Sequence, residues 1–282
     1  MSEPVHIISL GAGVQSSTMA LMAAKGEINP MPVAAIFSDT GAEPESVYRW
    51  LEWLTAELPF PVNKVWKARK GNQLTLEAAS LEMKETKDGR LFSQTNIPFF
   101  TKDNETGALG MIPFRSCTLD FKIGPLRQAQ KILGEVQRNQ KTVSVVSWIG
   151  ISTDEASRMK DSRDAWAVNR YPLIEKRMTR NDCLAWMEKH HYPQPPRSAC
   201  VFCPFHSDTE WRRLKNDEPK EFAKAVEFEK QIQATKAASS NFKTTPYLHA
   251  SRLPLDTVDF RNAEDLGQIN MFENECEGMC GV

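Results

Sequence analysis

The chain has 282 residues, 41% hydrophobic and 25% charged, with Lys+Arg 35 against Asp+Glu 36 and a net charge of -1. These are the proportions of an ordinary globular protein, so collagen-like, disordered and coiled-coil chains are excluded. The length suits one large domain or a core domain with a smaller appendage. A balanced charge gives no overall pull toward nucleic acid or anionic membrane, although a local basic patch is compatible with it.

Residues 1–8 carry no positively charged leader, and no run approaches the roughly 18 apolar residues that span a bilayer. A cytoplasmic protein without membrane contact is expected. The six cysteines, Cys117, Cys183, Cys200, Cys203, Cys276 and Cys280, are too few for a disulfide scaffold in a chain this long. Their spacing points to metal or redox chemistry.

Residues 5–10 form a β-favouring run that stops at Gly11-Ala12-Gly13, and residues 16–25 read as a helix. Residues 32–37 are a second strand, and 45–58 a helix with Val47, Trp50, Leu51 and Leu54 on one face. Residues 62–66 are a third strand. The alternation predicts right-handed crossovers, a mostly parallel sheet with helices on both faces, and ligands at the carboxyl ends of the strands. Residues 71–113 show little periodicity and read as an inserted lid, a long connection with one short helix near 74–83. Residues 126–133 are helical. Residues 142–151 make the strongest strand, β-branched and uncharged, and are expected at the centre of the sheet. A helix follows at 179–190, one or two charged helices at 208–238, and a loop-like tail after Ser239. The expected division is a nucleotide-binding α/β domain over 1–206 and a helical, cysteine-containing region over 207–282.

Three motifs carry chemistry. Between the first strand and helix lies Ser9-Leu10-Gly11-Ala12-Gly13-Val14-Gln15-Ser16-Ser17. Glycines let a backbone approach an anion closely, and a helix N-terminus aims free N–H groups at it, so the loop reads as a phosphate cradle. A plain tight turn capped by Ser16 is the alternative. At the end of the second strand stands Asp39-Thr40-Gly41-Ala42-Glu43-Pro44-Glu45. Asp39 there could hold ribose or a metal, whereas Glu43 and Glu45 suit the first turn of the following helix. Finally, Cys200-Val201-Phe202-Cys203 aims two thiolates at one ion, either zinc or an edge of an iron–sulfur cube, with a redox-active pair as the competing reading. Further ligands must come from Cys117 and from Cys276 or Cys280, with His206 as a zinc-type alternative. Cys183, inside an amphipathic helix, reads as a small buried hydrophobe.

Together the Gly-Val-Gln-Ser-Ser loop, the segment 37–45 and the segment 116–126 (Ser-Cys-Thr-Leu-Asp-Phe-Lys-Ile-Gly-Pro-Leu) resemble the phosphoadenosine phosphosulfate (PAPS) reductase family of the PP-loop adenine-nucleotide alpha-hydrolase superfamily. The resemblance covers roughly residues 5–206. It implies a PP-loop, HUP-like α/β sheet with an adenine nucleotide, ATP or PAPS, at its carboxyl edge, and Mg2+ accompanying it. Ser9, Gly11, Gly13, Gln15, Ser16 and Ser17 would bind the phosphates, and Asp39, Thr40 and Gly41 would sit beside the adenosine. Residues 149–158 resemble a later family segment, which places Gly150 at the nucleotide and Glu155 and Arg158 at its reacting end. Cys117, Cys200 and Cys203, with Cys276 as a fourth, would hold a [4Fe–4S] cluster, zinc being the alternative.

The departures from the family pattern also inform. Ser116 replaces one thiol of the family's Cys-Cys pair, Gln15 stands where the ATP-splitting relatives have Asp, and Ser152 stands near the place of a reductase Arg. Three functions follow as expectations. The first is ATP-activated, iron–sulfur-dependent thiolation of a tRNA base or a DNA backbone, with sulfur from a donor such as a cysteine desulfurase. Arg115, Lys122, Arg127, Arg158, Lys160 and Arg163 could track the phosphates of such an acceptor. The second is a sulfonucleotide reductase in which Cys280 attacks sulfur and thioredoxin releases sulfite. The third is a non-catalytic nucleotide-binding protein stapled by a structural metal.

Overall fold

A computed structural model describes residues 3–261. Strand β1 (Val5–Leu10) leads into α1 (Val14–Ala24), β2 (Ala34–Ser38), α2 (Glu45–Glu57) and β3 (Val62–Val65), the alternation expected from the sequence. The next elements are β4 (Ala68–Arg69), β5 (Asn72–Gln73), α3 (Leu76–Leu81), β6 (Met83–Glu85), β7 (Leu91–Ser93), β8 (Phe99–Asp103) and β9 (Leu109–Ile112). A π-helical stretch, Cys117–Ile123, runs into α4 (Gly124–Leu133), and β10 (Val145–Ile149) follows. After a 3-10 turn at Thr153–Arg158 come β11 (Ala167–Arg170), α5 (Pro172–Glu175), α6 (Arg180–Lys189), α7 (Asp208–Asp217), α8 (Pro219–Ala237) and β12 (Thr244–Tyr247).

The main sheet has the order β11-β10-β1-β2-β3, and every pairing in it is parallel. The protein is therefore an α/β fold. One face packs on α1, α2 and α6 through Ile8, Leu10, Leu21, Val47, Leu54, Trp148 and Met187. The other packs on α4 through Ile7, Ile36, Val145, Leu126 and Leu133. The expected central strand is corrected: β1 is the middle strand and β10 lies second from the edge. A parallel strand covered on both faces reads as an apolar run wherever it lies between its neighbours, so the strength of the run does not report position. The edge strand β11, with sequence Ala-Val-Asn-Arg, gave no comparable signal.

The segment 71–113 is also corrected from a connection with one helix. It holds α3 and two antiparallel hairpins, β6–β7 and β8–β9, turning through Gly89 (φ 77°) and Gly107 (φ 70°). Strands this short display too few alternations to be read from periodicity. β12, in the stretch expected to be loop, pairs antiparallel with β8, Thr244 facing Asp103, and completes a second sheet of order β12-β8-β9. A separate core joins Leu76, Phe99 and Phe121 to Phe202, Trp211, Phe228 and Leu248, so the expected boundary at residue 206 passes through a shared hydrophobic cluster. The buried Glu229 carboxylate of α8 accepts the Leu248 and Leu255 N–H groups at 2.8 and 2.7 Å, fixing both ends of the last described loop. Among the described residues no helix is long and apolar enough to cross a membrane.

Candidate nucleotide and thiol site

The strands of a parallel sheet deliver their loops to one edge, and here that edge gathers the motifs. Leu10 ends β1, Ala12 takes φ 58°, and Gly13 begins α1 in an extended conformation with no side chain capping the helix. Ser16 Oγ accepts the Gly11 N–H at 3.2 Å and donates to the Gly13 carbonyl at 3.3 Å, bracing the loop from within. Ser17 is turned the other way. It is fully buried, and its hydroxyl accepts from Trp50 Nε1 at 3.0 Å between α1 and α2. Ser9 Oγ lies 3.0 Å from Ser147 Oγ, which also accepts from Gln130 Nε2 of α4. Gly150, just past the end of β10, presses against the Ser16 backbone.

Gln15 leaves the first turn of α1 toward the loop after β10. Its Nε2 donates to Ser152 Oγ at 3.4 Å and to Glu155 Oε2 at 3.3 Å, while Glu155 Oε1 pairs with Arg158 at 2.5 Å. The residues expected at the reacting end of the nucleotide are thus brought to the glycine loop.

At the end of β2, Asp39 is buried and engaged. Its Oδ1 accepts from the Gly41 N–H at 2.8 Å and the Tyr48 hydroxyl at 2.7 Å, and its Oδ2 lies 3.5 Å from Lys64 Nζ. Burial, and then the Asp39 carboxylate, push the Tyr48 hydroxyl well above its ordinary pKa. Gly41 has φ 69° and a Cβ there would meet Thr75 Cγ2 at 2.7 Å, so the turn requires glycine. Asp39 orders the turn more than it faces outward.

The Cys200–Cys203 turn docks onto this loop. The Val201 N–H donates to the Ala42 carbonyl at 2.8 Å, Thr40 Oγ1 lies 3.5 Å from Cys200 Sγ, and a Cβ on Gly13 would sit 4.0 Å from Ser198 Cβ. Cys117, at the start of the π-helical stretch, completes the approach from the other side. Cys117, Cys200 and Cys203 all line one open pocket, together with Thr40, Arg115 and Lys122. Ser116 is absent from that wall; it is buried, with its hydroxyl 3.2 Å from Asn96 Oδ1.

Three soft sulfur donors around one pocket are the right chemistry for a thiolate-bound iron–sulfur group or zinc. Their positions fit less closely, since among the described residues no three His, Cys, Asp or Glu side chains converge as a site for one ion. His206 does not join the thiols. Its Nε2 lies 2.9 Å from the Cys200 carbonyl, and burial, then Arg197, depress its pKa to about 3, leaving the ring neutral. Cys183 is fully buried on α6, where burial raises its thiol to about 12. Cys276 and Cys280 lie outside the described residues.

Glu43, read from the sequence as a helix-turn acid, is instead a hub. Its buried carboxylate accepts from Lys122 Nζ at 3.3 Å and Ser198 Oγ at 3.3 Å, and Oε1 lies 4.0 Å from Cys200 Sγ. Four of the proposed phosphate-tracking cations have located partners: Lys122 with Glu43, Arg127 with Asp164, Arg158 with Glu155, and Arg115 stacked on Phe205.

No protein-family model and no curated protein matches the chain. Among solved structures it is similar to the phosphoadenylyl-sulfate (PAPS) reductase from Candida auris in its phosphate complex, at 14% identity over 69% of this chain and 76% of that one, with a TM-score of 0.45. A likeness of that size assigns no chemistry, and the site is read from its own residues.

Proposed function

We propose that the protein is an adenine-nucleotide-dependent sulfur-transfer enzyme that thiolates a nucleic-acid acceptor. The observation that carries this reading is that three thiols, Cys117, Cys200 and Cys203, line one pocket next to Thr40, while the Ser116 hydroxyl bonds to Asn96. Ser116 adds no fourth thiol to these three.

In this reading the amides of the Gly11–Gly13 loop and the first turn of α1 bind the phosphates of ATP. Gln15 and Arg158, tied through Glu155, orient the end at which pyrophosphate leaves. An acceptor oxygen attacks the α-phosphorus, pyrophosphate departs, and hydrosulfide then displaces AMP, so oxygen is exchanged for sulfur without net oxidation. Adenylation turns a poor leaving group into a good one. Cys117, Cys200 and Cys203 would hold the iron–sulfur group, whose contribution when bound is to present sulfur in its reduced form. Glu43 and Lys122 fix the Cys200 side of the pocket.

The test is anaerobic purification with iron and sulfide analysis, followed by incubation with ATP and, separately, with labelled PAPS plus thioredoxin. Iron with sulfide, and pyrophosphate release that depends on nucleic acid, is the expected result. Sulfite release from PAPS would establish the reductase instead, and stoichiometric zinc without nucleotide turnover would establish a stapled binding protein.

A further inference from the structure

We infer that a second anion site, separate from the glycine loop, lies at the far end of α4 and takes a small phosphoanion carrying at least two negative charges. It stands independently of the sulfur-transfer reading.

The glycine loop and the thiols gather at the carboxyl edge of the main sheet. α4 continues the stretch that begins at Cys117 and ends at the opposite edge, where a Cβ on Gly134 would meet Val145 Cγ2 at the start of β10. The Trp166 carbonyl accepts the Ser144 N–H there at 2.9 Å. An open pocket at this edge is lined by Arg127, Lys131 and Arg138, with Asp164 as the one acid in its wall. Arg127 is ion-paired with Asp164. Among the described residues neither Lys131 nor Arg138 forms an ion pair, so the pocket keeps two positive charges without a counter-charge.

The rest of the wall is already committed. The Gln137 N–H donates to Gln140 Oε1 at 2.9 Å, Gln137 Nε2 to the Glu135 carbonyl at 2.9 Å, and Gln140 Nε2 to the Thr142 carbonyl at 2.8 Å. The carbonyls of the last turn of α4 are satisfied as well, those of Gln130, Lys131 and Ile132 accepting from Gly134, Val136 and Glu135. Lys131 Nζ lies 5.7 Å from the centroid of the Trp166 ring, an indole only 6% exposed. A ring behind an ammonium leaves its N–H donors for a ligand.

Two unpaired cations in one cavity match an anion of two or more charges, and guanidinium and ammonium groups are the side chains that hold phosphoryl oxygens. A nucleic-acid backbone instead engages cations spread along a track. Lys141 and Arg163, each next to a lining residue in the chain, are exposed and outside the pocket. A strand would cover them together with Lys131, whereas a small anion would not.

The test is lysine acetylation of the full-length protein with and without sodium tripolyphosphate, read by peptide mass spectrometry, with sodium chloride at equal ionic strength as the control. Tripolyphosphate should slow acetylation of Lys131 and leave exposed Lys141 and Lys220 at their control rates. Arg138→Ala, an exposed position, should raise the tripolyphosphate concentration needed by about tenfold, the loss for one charge-assisted hydrogen bond. Gly13→Ala should leave it unchanged, which separates this site from the nucleotide loop. An unprotected Lys131, protection shared by Lys141 and Lys220, or protection lost in Gly13→Ala would each overturn the inference. So would a duplex oligonucleotide that protects Lys131 and Lys141 together at lower concentration than tripolyphosphate, which would make the patch a backbone track. The readout needs neither ATP nor iron, so its failure is distinguishable from failure of the sulfur-transfer reading.

Discussion

Gly150, the residue after β10, lies against Ser16 in the first turn of α1, where an added Cβ would meet the Ser16 nitrogen and Cα at 2.8 Å. The obstacle is backbone, so nothing flexible can yield. Gly150→Ala should push the glycine loop away from the sheet edge and cost about 1–3 kcal/mol, the usual range for overpacking. Gly13→Ala is the contrasting case, since the nearest atom to its Cβ is at 4.0 Å. It should melt near the wild-type temperature yet bind ATP at least tenfold more weakly, because the methyl projects from the loop proposed to hold phosphate. Thermal melts and ATP titrations separate the two, and an unchanged ATP affinity in Gly13→Ala would remove the phosphate loop from the proposal.

Glu43 and Lys122 form a pair of unequal burial: the carboxylate side chain is 1% exposed and the lysine 23%. Lys122→Met leaves a buried carboxylate without this cation, whereas Glu43→Gln leaves a lysine that can reach water. The lysine variant should therefore be the less stable of the two, losing about 3 kcal/mol. Denaturant midpoints check the order. If Glu43→Gln proves the more damaging, the hydrogen bond to Ser198 and not the ion pair is what holds the thiol turn.

Thiol reactivity should divide the cysteines. Burial keeps the Cys183 thiol protonated until about pH 12, so it should resist iodoacetamide at pH 8 in the native protein. Cys203 and Cys117 are partly exposed and should be alkylated in the metal-free protein. Cys183→Ala should retain any bound iron, and Cys117→Ser or Cys203→Ser should lose it. Mass spectrometry and iron analysis read both outcomes, and iron retained by both Cys117→Ser and Cys203→Ser would rule out their role as ligands.

Lys236 of α8 is fully buried, donating to Ser93 Oγ at 2.8 Å and the Gln94 carbonyl at 2.6 Å, and burial lowers its pKa from 10.5 to about 8. Below pH 8 both folded and unfolded chains carry the proton, and the cost of burying the charge is fully present. Between about 8 and 10.5 the unfolded chain binds more protons, so this group makes stability rise with pH. Lys236→Met should lack that rise. Urea melts at pH 7.5 and 9.5 measure it, and parallel curves for the two proteins would contradict the assignment.

The local parts of the site were legible because their geometry is short-range. A strand, two glycines and a helix start define the loop, and Cys200–Cys203 defines its own turn. What the sequence concealed was convergence. Glu43 resembles any acid in a first helical turn, and only the long-range approach of Lys122 and Ser198 turns it into a hub. Ser16 and Ser17 are adjacent in the chain, yet one braces the loop and the other caps Trp50 in the core. Two hydroxyls about 100° apart on a helix cannot both face one ligand, and the run of small and apolar residues in α1 gives no marker of which is which. The β12–β8 pairing had no local signal at all.

That pairing sets an order of events during synthesis. Thr245 bonds to Asn104 across 141 residues, and at the usual pace of translation this interval is on the order of ten seconds. The parallel sheet can close on itself while the chain is still emerging, but the second sheet and the wall of aromatics behind Cys200 must wait for the last strands. Of the three pocket thiols, Cys117 alone waits through most of that interval, since Cys200 and Cys203 are made only 45 and 42 residues before Thr245.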